Sequence, residues 1–86
     1  MDSNETIEKL CKFIKKCQRN YYKPDLHSFW IDREKNGRAY VECGRSTIRI
    51  CYCDDNNEEV YSKFNDATDA VNFLVGLGAQ YNTIDM

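Results

Sequence analysis

The hydrophobic period of this chain changes between Arg19 and Ser28, and that change restricts the folds open to it. Before it, Ile7, Leu10, Cys11, Ile14 and Cys17 recur at spacings of three and four, with Phe13 beside the stripe. Such spacing predicts an amphipathic helix from Ser3 or Asn4 to Arg19. Asp2, Ser3 and Asn4 are candidate caps. Glu5 and Glu8 suit the positive end of the helix dipole, and Lys12, Lys15, Lys16 and Arg19 suit the negative end. Asn20 to His27 holds the only proline, Pro24, which disfavours helix at Lys23 and predicts a connecting loop.

From Ser28 to Phe64 the period falls to two. Residues 29–33, 38–43, 47–53 and 59–64 are short runs rich in β-branched and aromatic side chains. Turn chemistry separates them: Asn36-Gly37 for a tight hairpin, then Gly44-Arg45-Ser46, then Asp54 to Asn57. Alternation assigns Phe29, Ile31, Val41, Cys43, Ile48, Ile50, Tyr52, Val60 and Phe64 to a covered face. Trp30, Tyr40, Glu42, Arg49, Cys51, Tyr61 and Lys63 fall on the opposite one. A last helix begins near Asn65 or Asp66, carries Ala67, Ala70, Val71, Leu74 and Leu77 on one stripe, and stops at Gly78. Residues 79–86 read as a frayed tail, with Tyr81 and Ile84 as the residues able to dock. The expected fold is α+β in two layers: an antiparallel meander of three to four strands with an N-terminal and a C-terminal helix on one face, α-β-β-β-(β)-α. Eighty-six residues suffice for one core, so residues 1–86 are expected to form a single domain.

Twelve Lys plus Arg against fourteen Asp plus Glu give a net charge of −2, which argues against a module that binds nucleic acid through overall basicity. The charges are unevenly spread: residues 1–50 hold eleven bases and seven acids, residues 51–86 one base and seven acids. No apolar run has the ~18 residues of a membrane span, and the polar, acidic start is unlike a signal peptide. With five cysteines, an odd number, the expectation is reduced thiols and a cytoplasmic location.

No catalytic constellation is visible. The one histidine, His27, falls in the predicted loop away from any Ser or Cys motif, and the four glycines form no phosphate-cradling or dinucleotide fingerprint. Cys43, Cys51 and Cys53 are the candidate thiolate set for a metal or redox protein, but a mid-strand C-x-C lacks the tight knuckle of structural zinc sites. The expectation is therefore no enzyme, no metal and no cofactor.

Three surface features remain. The basic set Lys12, Lys15, Lys16 and Arg19, with Lys9 and Lys23, suits phosphate, and the element order resembles double-stranded-RNA-binding domains in topology. In that family a lysine-rich segment at the start of the last helix meets the RNA backbone; here the matching stretch is the acidic Asn65-Asp66-Ala67-Thr68-Asp69, which repels phosphate. The acidic set Asp54, Asp55, Glu58, Glu59, Asp66 and Asp69 is expected to space carboxylates over about 20 Å of strand, an anionic surface matched to a basic groove. Trp30, Tyr40 and Tyr61 are of the residue types enriched at protein–protein hot spots.

In size, acidity and helix-meander-helix layout the chain resembles small inhibitor proteins of microbial conflict, namely phage anti-CRISPR proteins and bacterial toxin-immunity proteins. The resemblance implies a binding inhibitor that occludes a basic site on a nuclease or nucleic-acid-binding complex, with a protein partner and without direct nucleic-acid contact or a membrane. The alternatives are neutralisation of a cognate toxin, or a small nucleic-acid-binding regulator using Lys12, Lys15, Lys16 and Arg19. Exposed strand edges also permit a homodimer.

Overall fold

A computed structural model describes residues 3–86. Helix α1 spans Ser3–Arg19, strands β1 to β4 span Ser28–Asp32, Arg38–Cys43, Ile48–Cys53 and Glu59–Phe64, and helix α2 spans Ala67–Gly76. The strands form one antiparallel sheet in the order β1-β2-β3-β4, so the α+β meander with a helix at each end is the observed architecture, with four strands. Asp2, one of the candidate caps, lies outside the described residues. Among the described residues no helix is long and apolar enough to cross a membrane.

Both helices cover the same side of the sheet. Leu10, Ile14 and Cys17 of α1 and Ala67, Ala70, Val71 and Leu74 of α2 are buried against Phe29, Ile31, Ala39, Val41, Cys43, Ile48 and Ile50. Aromatic contacts set which helix meets which strands: Phe13 packs edge-on to Phe29 at 4.9 Å between ring centroids, while Phe73 meets Tyr52 at 5.6 Å and Phe64 at 5.2 Å. Thus α1 lies over the β1–β2 half and α2 over the β3–β4 half.

Two turns depend on left-handed asparagine. Asn57 (φ 62°) closes the β3–β4 hairpin, where Asp54 N–H donates to the Glu58 carbonyl at 2.9 Å and Asn57 N–H donates to the Asp54 carbonyl at 2.9 Å. This is a three-residue loop with its left-handed residue last, a favoured hairpin geometry. Asn36 (φ 65°) and Gly37 (φ 83°) take the positive φ expected of them, but the β1–β2 connection is longer than a two-residue turn. Arg33 N–H donates to the Gly37 carbonyl at 3.2 Å, leaving Glu34, Lys35 and Asn36 as the loop.

The largest difference from expectation is the C-terminus. Residues 79–86, expected as a frayed tail, run along the free side of β1. Trp30 and Asp85 exchange backbone hydrogen bonds at 2.8 and 2.9 Å, Gln80 N–H donates to the Asp32 carbonyl at 2.9 Å, and Asp32 N–H donates to Thr83 Oγ1 at 2.8 Å. Tyr81 and Ile84 pack against the core, as the sequence allowed. Gly78 makes this return possible. At φ 83° it ends α2 with Gly78 N–H on the Val75 carbonyl and Ala79 N–H on the Leu74 carbonyl, which turns the chain back across the sheet end.

Candidate interaction face

Among the described residues no helix covers the second face of the sheet, and strand register decides what stands on it. Trp30 is opposite Tyr40, Tyr40 opposite Cys51, and Cys51 opposite Tyr61, so one row crosses all four strands. Beside it runs a charged row in which Ser28, Glu42, Arg49 and Lys63 face one another in turn. Trp30 is 44% and Tyr61 63% exposed, and the Trp30 and Tyr40 ring centroids are 4.8 Å apart. Together with Arg38, Glu42, Arg49 and Glu59 these rings line a shallow concavity of about 430 Å3. Burying aromatic side chains of this kind is the usual source of binding energy at protein interfaces.

Charged groups frame the rings. The Arg38 guanidinium lies 5.4 Å from the Trp30 ring and pairs with Asp32 at 3.3 Å and Asp85 at 3.2 Å. Arg49 pairs with Glu42 at 3.7 Å. Glu59 Oε1 accepts from the Tyr61 hydroxyl at 2.7 Å and the Cys51 thiol at 3.0 Å. Those two bonds hold the Glu59 carboxyl below the usual carboxylate range. In turn the carboxylate pushes the Tyr61 hydroxyl up to about 12. Cys51 is raised by partial burial and by its bond to Glu59.

The acidic set divides. Asp54 Oδ1 accepts Asn56 N–H at 2.9 Å and Glu58 N–H at 3.0 Å, so its carboxylate is committed to building the β3–β4 turn. Asp55 accepts from Asn36 Nδ2 at 2.7 Å, tying the two neighbouring hairpin tips together. Glu58 is exposed at that tip, and Glu59 alone of the set joins the aromatic row. Asp66 is the N-cap position of α2 without a side-chain cap bond, and Asp69 lies in its first turn. Both are at the far end of β4 from the hairpin acids, as expected, but belong to the helical layer.

The basic set divides as well. Lys12 pairs with Glu8 at 3.4 Å. Lys16 borders a small cavity of about 50 Å3 with Leu26 and Met86. Lys15 and Arg19 share a depression of about 440 Å3 with Gln18, Tyr21 and Arg45, the last from the β2–β3 turn. The candidate thiolate set is split by the sheet: Cys43 is buried under the helices, where its bond to Cys17 and its burial push the thiol up, while Cys51 lies in the outer row. His27 bridges loop and sheet, its Nδ1 donating to the Lys23 carbonyl at 2.8 Å and its Nε2 lying 4.0 Å from Glu42.

Arg38 is the member of the face that sequence reasoning passed over. Its position two residues before Tyr40 on one strand was the available signal. Comparison with protein-family models, with curated proteins and with solved structures finds no match to this chain.

Proposed function

We propose that this protein is a non-catalytic binding inhibitor whose uncovered sheet face seats on a basic site of a nuclease or nucleic-acid-binding complex. The observation that carries this reading is the row Trp30-Tyr40-Cys51-Tyr61, presented on the sheet face opposite the two helices. Trp30, Tyr40 and Tyr61 supply contact area at low conformational cost. Asp55, Glu58 and Glu59, at the adjoining hairpin end, supply a field that steers a cationic partner toward them. Asp54 acts by shaping that hairpin, and Asp66 and Asp69 extend the negative potential along the β4 side. Anti-CRISPR and toxin-immunity activity are the two settings in which such occlusion inhibits.

The test is affinity capture from the native host, comparing the wild-type chain with a Trp30→Ala/Tyr61→Ala variant and an Asp55→Lys/Glu58→Lys variant. A nucleic-acid-handling protein held by the wild type, lost with the ring variant, and bound more slowly by the charge variant and at higher salt supports the reading. Equal capture by all three chains contradicts it.

The depression lined by Lys15, Arg19 and Arg45 favours a second reading, a small regulator that binds nucleic acid. Among the described residues none of these three cations has a carboxylate within ion-pair distance. A gel shift at low salt separates the readings: the regulator binds nucleic acid and weakens steeply with salt, whereas the inhibitor ignores it.

A further inference from the structure

The two edges of the sheet are finished differently. On β1 the C-terminal segment supplies backbone partners through Trp30 and Asp85, with a further bridge between Arg33 and Ala79. On β4, among the described residues, nothing pairs with the outer side. Which backbone groups that edge offers follows from the hairpin. Asp54 and Glu58 form a hydrogen-bonded pair, and such pairs recur every second residue, at Tyr52–Val60, Ile50–Ser62 and Ile48–Phe64. The N–H and C=O groups of Glu59, Tyr61 and Lys63 therefore point away from the sheet.

Those three residues are complementary to themselves. Antiparallel pairing with a second copy about a two-fold axis at Tyr61 sets Tyr61 against its own equivalent. Glu59 then faces Lys63 of the second copy, and Lys63 faces Glu59, so both ion pairs form by symmetry. The helix-bearing faces stay on one side, since residues directly opposite each other in a sheet share a face. Within one chain Lys63 stands directly opposite Arg49, a like-charge pair that is unfavourable, and a carboxylate brought to the other side of Lys63 relieves it. Glu59 is equipped for this. Both of its intramolecular bonds use Oε1, leaving Oε2 for the incoming ammonium.

We infer that β4 is a homodimerisation edge, pairing antiparallel with β4 of a second copy in the register centred on Tyr61. Two four-stranded sheets become one of eight, and the aromatic rows join end to end through the Tyr61 pair. This inference does not rest on the proposed inhibitor function: it shares Glu59 and Tyr61 with that reading but needs only the β4 edge and the Glu59–Lys63 complementarity, while Trp30, Asp55 and Glu58 take no part in it.

Sedimentation equilibrium of the full chain, from micromolar to millimolar concentration at low salt, tests the edge. A reversible dimer is expected. Glu59→Lys and Lys63→Glu each weaken it by at least about tenfold, because both symmetry-related contacts turn repulsive, and the Glu59→Lys/Lys63→Glu chain recovers it. Backbone amide exchange supplies a readout free of substitution: Glu59, Tyr61 and Lys63 gain protection as wild-type concentration rises, while Trp30, already bonded to Asp85, does not change. A chain that stays monomeric, a dimer insensitive to either reversal, failure of the double swap to recover it, or concentration-independent exchange at these three amides overturns the inference.

Discussion

Glu59 Oε1 holds two hydrogens, from Tyr61 and Cys51, and the consequences can be read at each donor. Tyr61 is expected to ionise at about 12, against an ordinary value of 10.0. Because the folded state retains that proton more tightly, the stabilisation is complete below the ordinary value and lost as pH rises toward about 12. Replacing Glu59 by Gln brings the Tyr61 transition back toward its ordinary position. An ultraviolet titration, with Tyr61→Phe identifying this residue among six tyrosines, checks the shift. Glu59→Gln also lowers the Cys51 thiol and speeds its alkylation at mildly alkaline pH, measured by mass spectrometry; unchanged rates and an unchanged tyrosine transition contradict the arrangement. Arg33 has a different task. Its Nε donates to the Leu77 carbonyl at 3.2 Å, its guanidinium to the Cys53 carbonyl at 2.9 Å, and it lies 5.2 Å from the Tyr52 ring, joining α2 to the end of β3. Arg33→Met leaves two carbonyls without this donor and is expected to cost about 1–3 kcal/mol in urea unfolding. Contacts between residues far apart in the chain leave no local pattern, which is why Arg33 could not be found from the sequence while the alternating Trp30, Tyr40 and Tyr61 could.

At the level of elements, hydrophobic period located both helices and three strands, since each must bury one side against the other layer; it leaves the fourth strand optional, and in the fold that strand's inward residues are only half-buried. The C-terminal segment escaped because its attachment to β1 is largely backbone pairing, which makes no demand on side-chain period. Four hydrogen bonds hold it to Trp30 and Asp32, so cutting the chain after Ala79 is expected to lower stability by about 4 kcal/mol, at about 1 kcal/mol each. A thermal unfolding midpoint that does not move contradicts the docking. Gly78 is the hinge of that return: a Cβ there would lie 3.2 Å from Glu34 on a backbone with φ 83°. Gly78→Ala is accordingly expected to cost at least about 1–2 kcal/mol in the same measurement. The hairpins were read correctly as turns from their Asn, Asp and Gly content. Loop length at Asn36-Gly37 was not, because positive φ at two successive residues suits more than one hairpin class.

Across the molecule as a whole, the fold gives its two layers different work. The helices and the inner sheet face make the core, and the outer face, stiffened by that core, carries the exposed Trp30 and Tyr61 rings with Tyr40 between them. Charge asymmetry along the chain becomes geography: five bases stand on α1 with Arg45 of the β2–β3 turn beside its C-terminal end, and acids gather at the β3–β4 hairpin and the start of α2. The aromatic row and its neighbours Glu42, Arg49 and Lys63 were legible as an alternation, but the Arg38, Asp32 and Asp85 groups that frame Trp30 depended on register and on the docked C-terminus, which only the folded chain sets. Trp30 is the only tryptophan and stands within that row, so fluorotryptophan incorporated at this position reports on the face alone, whatever the composition of the partner. The decisive observation is the fluorine resonance of this residue as the protein captured from the native host is titrated in. A saturable change in chemical shift and linewidth at stoichiometric partner, reversed by salt, is predicted; a bound complex in which the resonance keeps its free position and width contradicts the assignment of this face as the binding surface.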